Sequence, residues 1–225
     1  MLDTEFFSPM PSSKLALIVQ GGWSGHEPEL CAGVVETMLA REGFEVTIQN
    51  DPEAFADPEL KRYDLIVPIY SHGTISQTAS QNLSETVVAG TGLAGFHGGM
   101  GDSFRSDTNY QFMTGGQWVA HPGNIINYRV NIVDKADPVT AGLADFDYVS
   151  EQYYMHVDPS NHVLATTTFS GEHCAWIKGV AMPVVWKRQH GQGRVFYSSL
   201  GHQVAEFRVP EMYEIFRRGA LWAAR

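Results

Sequence analysis

The apolar run Gly92-Leu93-Ala94 leads straight into Gly95-Phe96-His97-Gly98-Gly99. A strand that feeds a residue bracketed by glycines must turn sharply, and the glycines remove the Cβ atoms that would block the turn. This is the layout of a nucleophile elbow, which holds one side chain exposed at the C-terminal end of a strand, ahead of a helix. Ser or Cys usually occupies that position; here it is His97. An imidazole is a poor hydrolytic nucleophile, but a good general base, metal ligand or hydroxyl partner. The chain therefore keeps a catalytic layout and changes its chemistry.

The flanking pattern fits an α/β architecture. Lys14 to Gln20 reads as a buried strand, stopped by Gly21-Gly22. Leu30, Val34, Val35, Met38 and Leu39 recur at helical spacing within Glu27 to Arg41, and Gly43 ends that helix. Strands follow at Phe44 to Gln49, Tyr63 to Tyr70 and Thr91 to His97, with a helix over Gln77 to Val88. Strands too apolar to be half exposed, alternating with helices, predict a mostly parallel sheet covered on both faces. The second half is β-rich. Strands are expected over Ile125 to Val133, Tyr148 to Met155, His162 to Phe169, Met182 to Lys187 and Arg194 to Ser199, with a hairpin turn at His190-Gly191-Gln192-Gly193. Pro210 opens a closing amphipathic helix that runs to Ala224. The chain reads as a single domain over residues 14 to 225, preceded by a short arm at Met1 to Ser13 that has neither signal-peptide nor transit-peptide character.

Charge narrows the partners. A formal net charge of −10 supplies no basic patch for phosphates, which argues against nucleic acid and against an anionic membrane surface. No apolar run reaches the roughly 20 residues of a membrane span. Cys31 and Cys174 make no disulfide framework, and Cys31 falls on the apolar stripe of its helix as a small buried hydrophobe. A reduced, cytoplasmic protein is expected.

Ligands of open parallel sheets bind outside the carboxyl ends of the strands. Four of the nine histidines fall there: His26, His72, His97 and His202. Three of them, His26, His97 and His202, offer imidazole ligands that suit zinc or another divalent ion, with Asp102 or Glu151 as a carboxylate partner. Asp102, just past the elbow, fits a helix N-cap as well as a site acid. Arg105 fits an anchor for a carboxylate or a sugar hydroxyl. Glu151 lies within a strand in an aromatic setting, where a carboxylate must be paired to be buried. His121, before Pro122, is a further site candidate. Trp23, Phe104, Trp118, Tyr153 and Tyr154 lie beside these polar groups, as aromatic faces do in carbohydrate sites, although each also suits a core position.

Several motifs together resemble the ThuA-like (trehalose-utilisation) family, within the class I glutamine-amidotransferase-like superfamily. They are Gly21-Gly22-x-x-x-His26, Gly95-Phe96-His97-Gly98-Gly99-Met100-Gly101-Asp102-Ser103-Phe104-Arg105, Gly115-Gly116-Gln117-Trp118-Val119-Ala120-His121-Pro122, Glu151-Gln152-Tyr153, Pro183-Val184-Val185-Trp186 and Gly193 to His202. The resemblance runs from Lys14 to Arg225 and implies a flavodoxin-like sheet. Amidotransferases of the superfamily carry Cys at the elbow, then His and Glu after a late strand. Here His97 takes the Cys position, His202 fits the late His, and Gln203 follows it. Without a thiolate there is no route to a glutamyl thioester. The resemblance also implies disaccharide catabolism on oxidised (keto) sugars made by a partner dehydrogenase.

These residues support a carbohydrate-catabolism enzyme, a lyase, isomerase or hydrolase of a disaccharide or keto-sugar. His97, His202, Glu151 and Asp102 are the expected acid–base groups, with His97 or His202 taking a proton and a carboxyl giving one. His26, Trp23, Arg105, His121, Tyr153 and His72 are the expected substrate-binding groups. A divalent metal such as zinc is compatible with this chemistry. The alternative is a non-catalytic sugar-binding or regulatory module that kept the pocket without the Cys nucleophile. An edge strand or the β-rich half would also suit a homo-oligomer. A Cys31→Ser, Cys174→Ser double variant is expected to retain full turnover of any saccharide substrate; loss of turnover in a folded double variant would restore a cysteine mechanism.

Overall fold

In β1 (Lys14–Gly22) the side chains alternate between two cores, Ala16 and Ile18 facing one side and Leu17 and Val19 the other. That two-sided burial makes β1 a central strand covered by helices on both faces. The computed structural model describes residues 13–225, so the expected N-terminal arm, apart from Ser13, lies outside the described residues. The chain continues through α1 (Pro28–Arg41), β2 (Phe44–Gln49), β3 (Leu65–Ser71), α2 (Gln77–Val88), β4 (Gly92–Phe96), α3 (His97–Gly101) and α4 (Thr108–Thr114). The remaining elements are β5 (Gly116–Ala120), β6 (Ile125–Ile132), β7 (Phe146–Glu151), β8 (Tyr154–Val157), β9 (His162–Thr168), β10 (Ala181–His190), β11 (Gly193–Ser198) and α5 (Pro210–Ala223).

The sheet has nine strands in the order β2-β1-β3-β4-β11-β10-β9-β6-β7. The expected α/β, flavodoxin-like class is present, with the parallel character confined to one half. Strands β2, β1, β3, β4 and β11 pair in parallel, whereas β11-β10, β10-β9, β9-β6 and β6-β7 are antiparallel. The β-rich second half of the sequence builds the antiparallel half. It also supplies β11, which inserts beside β4 and so delivers a late segment to the middle of the sheet.

Three local features differ from the sequence reading. The segment expected as one strand from Tyr148 to Met155 breaks at Gln152-Tyr153 into β7 and β8, and β8 joins β5 in a separate two-stranded sheet. Asp102 caps no helix N-terminus, because α3 starts at His97 itself. The next helix, α4, is capped instead by Asp107, whose Oδ1 accepts from the Tyr110 amide at 2.7 Å. Gly115, at φ +82°, then ends α4 in the left-handed region that favours glycine.

Helices α1 and α5 pack on one face and α2 on the other. Phe216 of α5 is fully buried and meets Phe96 edge-on at 4.9 Å, with Phe196 and Phe207 beyond it. It thus packs behind β4, the strand that carries the elbow. Phe216→Ala is expected to cost about 3–5 kcal/mol in denaturant unfolding. Phe112→Ser, at an exposed position, is expected to change stability by under about 0.5 kcal/mol.

Candidate active site

Four neighbouring parallel strands, β1, β3, β4 and β11, deliver one histidine each just past their carboxyl ends. His26 ends a short 3₁₀ turn after β1. His72 follows β3 at φ +63°, with its amide donating to the Asp102 carbonyl at 2.8 Å. His97 makes the elbow after β4 at φ +47°, and His202 follows β11. The elbow geometry is present, but its side chain points inward: His97 is 1% exposed. The expectation of an exposed elbow residue is therefore corrected. Gly98 is required beside it, since a Cβ there would collide with the His26 ring.

Glu151 arrives from the far edge of the sheet. The β6–β7 hairpin pairs with β9 only through Asn131 and Ile132, which leaves its distal end free to lie across the histidines. His97 Nε2 stands 3.1 Å from Glu151 Oε2, and His202 Nδ1 stands 3.4 Å from the same oxygen. His202 Nδ1 is also 3.2 Å from His97 Nε2. His97 Nδ1–H donates to the Ser199 carbonyl at 2.8 Å, and His26 Nδ1 pairs with the Ser71 hydroxyl at 2.5 Å. One ligand atom from each of His26, His97, Glu151 and His202 lies within 4.8 Å of the others, and all four residues are buried. The structure thus brings the three expected imidazole ligands together and selects Glu151, not Asp102, as their carboxylate.

Charge follows from these contacts. Burial alone would raise the Glu151 carboxyl, but His202 and His97 outweigh it and hold the group well below the usual carboxylate range. Burial opposes charge on His202, yet Glu151 raises it above the ordinary histidine value. Burial, then the neighbouring His97 and His202, push His26 down to about 2, so it stands as a neutral imidazole.

A cavity of about 350 Å³ opens beside this cluster, lined by Trp23, His26, His72, Asp102, Arg105, Trp118, His121, Asn124, Glu151 and Tyr153. Asp102 is gripped by Arg105 (2.5 and 2.8 Å) and by His72 Nε2 (3.0 Å). The Arg105 guanidinium also lies over the Trp118 ring at 4.7 Å. This wall is a fixed donor and acceptor surface, and it places Asp102 in the cavity lining rather than in the buried cluster. Tyr153 is buried, with its ring against His97 at 4.2 Å and His121 at 6.3 Å. His121 Nε2 lies 3.6 Å from Glu151 Oε1. His121 Nδ1 and Trp118 Nε1 are shielded from solvent and have no hydrogen-bond partner among the described residues. Such atoms are costly unless a ligand satisfies them.

Sequence reasoning missed Glu206. Its carboxylate accepts from the His202 amide (2.9 Å), the Gly201 amide (3.1 Å), the Ser150 hydroxyl (2.9 Å) and the Tyr148 hydroxyl. The acid sought immediately after His202 lies four residues on, and it holds the loop rather than the imidazole. A carboxylate at that spacing beside the buried turn Leu200-Gly201-His202 was the available signal. Ser71 and Ser199, which fix two of the ring orientations, had no sequence signal, because their partners lie 45 and 102 residues away.

The sequence matches the ThuA family, described as trehalose utilisation, over residues 15–223. No curated protein matches it. Its structure is similar to a ThuA-like protein from Bacteroides uniformis (TM-score 0.77, 18% identity, 97% of this chain and 95% of that one). It is also similar to a ThuA-like protein from Parabacteroides merdae (TM-score 0.74, 20% identity, 94% and 89%). A β-galactosidase from Rahnella sp. R3 shares the fold over 91% of this chain and 31% of its own (TM-score 0.56, 17% identity).

The Glu206 network generates a stability prediction. Glu206→Ala is expected to lower unfolding free energy by about 1.5–3 kcal/mol, the range for hydrogen bonds to a charged group. It is also expected to speed amide hydrogen exchange at Gly201 and His202, as read by NMR. Unchanged protection at both amides would show that the carboxylate does not hold the loop.

Proposed function

This chain belongs to the ThuA trehalose-utilisation family, and from that premise we propose that it is a carbohydrate-processing enzyme acting by proton transfer on a sugar that bears a carbonyl group. The observation that carries the reading is the placement of His121 against the ionised Glu151, in a cavity walled by Trp118, Trp23 and the Asp102–Arg105 pair. An imidazole oriented by a buried carboxylate is the arrangement of a general base whose third group fixes its orientation. The 3.6 Å separation is longer than a hydrogen bond, as such pairs often are before substrate binds.

In this reading the sugar ring packs on the Trp118 and Trp23 faces, and its hydroxyls meet Asp102, Arg105 and His72. His121 takes the proton from the carbon next to the carbonyl, and the C–H electron pair passes into an enolate. Return of the proton to the opposite face of the same carbon regenerates the carbonyl and gives the epimer. Expulsion of a glycosidic oxygen, which takes up a proton on leaving, gives elimination; water addition then completes a hydrolysis. Glu151, already an anion, steadies the imidazolium. This assigns the carboxylate the charge-stabilising role and the imidazole the proton-carrying one. The substrate is an oxidised saccharide, so a sugar dehydrogenase must supply it. Two free thiols, Cys31 buried and Cys174 half-buried, support a reducing, cytoplasmic setting. No helix among the described residues is long and apolar enough to cross a membrane.

The test is a panel of keto-disaccharides and their unoxidised parents, with products followed by NMR and binding by calorimetry. Wild type is expected to turn over a carbonyl-bearing member. His121→Asn is expected to lose at least 100-fold in kcat, the scale of a general base, with binding changed by less than about tenfold. Saccharide binding by wild type without turnover of any member would make the protein a binding module.

A further inference from the structure

We propose that His97 Nε2, His202 Nδ1 and Glu151 Oε2, with His26 as a fourth ligand, form a binding site for one divalent transition-metal ion of the zinc class. The inference deepens the reading of this same cavity, but it rests on the ligand geometry and not on turnover.

A ring nitrogen facing a carbonyl oxygen must carry hydrogen, so His97 Nδ1 donates to Ser199 and a neutral His97 bears its lone pair on Nε2. That lone pair faces Glu151 Oε2 at 3.1 Å, and a carboxylate has only lone pairs to offer. His202 Nδ1 completes a triangle, 3.2 Å from one atom and 3.4 Å from the other. In the neutral forms that a metal requires, one proton on His202 Nδ1 can serve only the two edges that meet there, and the edge between His97 and Glu151 remains acceptor against acceptor. A cation resolves all three edges together. Zinc bonds nitrogen and oxygen at about 2.0–2.2 Å, which sets neighbouring tetrahedral ligand atoms roughly 3.3–3.5 Å apart. The three edges lie at or just below that spacing.

The surroundings also suit ligation. Metal-bound histidines are usually fixed by a hydrogen bond from the other ring nitrogen. Ser199 O does this for His97, and Ser71 Oγ can do it for His26 by accepting from Nδ1–H, which leaves the His26 Nε2 lone pair available. Three imidazoles and one carboxylate match borderline ions of the zinc class rather than calcium or magnesium. Bound beside the cavity, such an ion supplies Lewis acidity to a carbonyl oxygen. In the other grouping of this kind, Asp134, Asp137 and His162, the carboxylates already have partners: Lys187 pairs with Asp137, and His162 Nε2 lies 2.9 Å from Asp134 Oδ2.

The test uses untagged full-length protein purified without chelators, stripped, and titrated with zinc or cobalt ions alone in competition with a chromophoric chelator. One ion per chain is expected, with cobalt giving the intense visible bands of four- or five-coordination. Glu151→Gln and His202→Asn, checked for folding by circular dichroism, should weaken binding at least tenfold. Ser71→Ala, which removes no ligand, should weaken it roughly 10–100-fold. His162→Asn should leave it unchanged. The proposal is overturned by the absence of a stoichiometric ion. It is also overturned by binding that survives both Glu151→Gln and Ser71→Ala, or that His162→Asn abolishes. An ion bound without saccharide turnover would defeat only the catalytic reading; turnover by a protein that takes up no stoichiometric ion would defeat only this one.

Discussion

A buried carboxylate has to be compensated, and the compensation of Glu151 organises this molecule. Breaking such a buried pair by removing one partner costs about 3–5 kcal/mol. Glu151 comes from the outermost antiparallel strand, while His97 and His202 come from the loops after two parallel strands at the middle of the sheet. Their contact therefore closes the β6–β7 hairpin over the carboxyl edge of the parallel half. Glu206 reinforces the closure from the other side, binding Tyr148 and Ser150 of β7 together with the His202 loop. The cavity exists because these two halves of one sheet meet there.

Backbone strain collects at the same place. Among the described residues, the non-glycine residues with positive φ are Glu27, His72, His97, Phe104 and Asn124. His72 and Asn124 line the cavity, His97 belongs to the buried cluster, and Glu27 and Phe104 adjoin His26 and Arg105. Each such conformation costs of order 1–3 kcal/mol and persists only when the surroundings over-determine it. Here the two cores do so. Phe104 is fully buried against Phe55, Tyr70 and Tyr110, and the elbow strand is backed by Phe216. Strain tolerated at one edge and packing supplied on both faces is the division of labour expected of a preorganised site.

Much of this was legible in the residues because its causes are local. The alternation of Leu17 and Val19 with Ala16 and Ile18, the glycines around His97 and the histidines at strand ends each report on a single element, and the structure puts those histidines on four adjacent strands. What escaped depends on distant partners. His97 turns inward because Ser199 and Glu151 hold it from 102 and 54 positions away. The break between β7 and β8 follows from pairing with β6 on one side and β5 on the other, which no periodicity within Tyr148 to Met155 reveals. Strand β5, unread in the sequence, is five residues long and half exposed, and so lacks the apolar run that marks a buried strand. Asp102 carries the residue type of a cap, yet its geometry is set by Arg105 and His72.

The proposed chemistry in this cavity moves a proton on and off a carbon next to a sugar carbonyl. Solvent exchange reads that step directly, before any bond to a leaving group need break. Incubated in heavy water with a keto-disaccharide that it binds, wild-type protein should introduce deuterium at the carbon adjacent to the carbonyl, faster than the buffer-catalysed background. Binding of that sugar with no deuterium incorporation above background would contradict the claim.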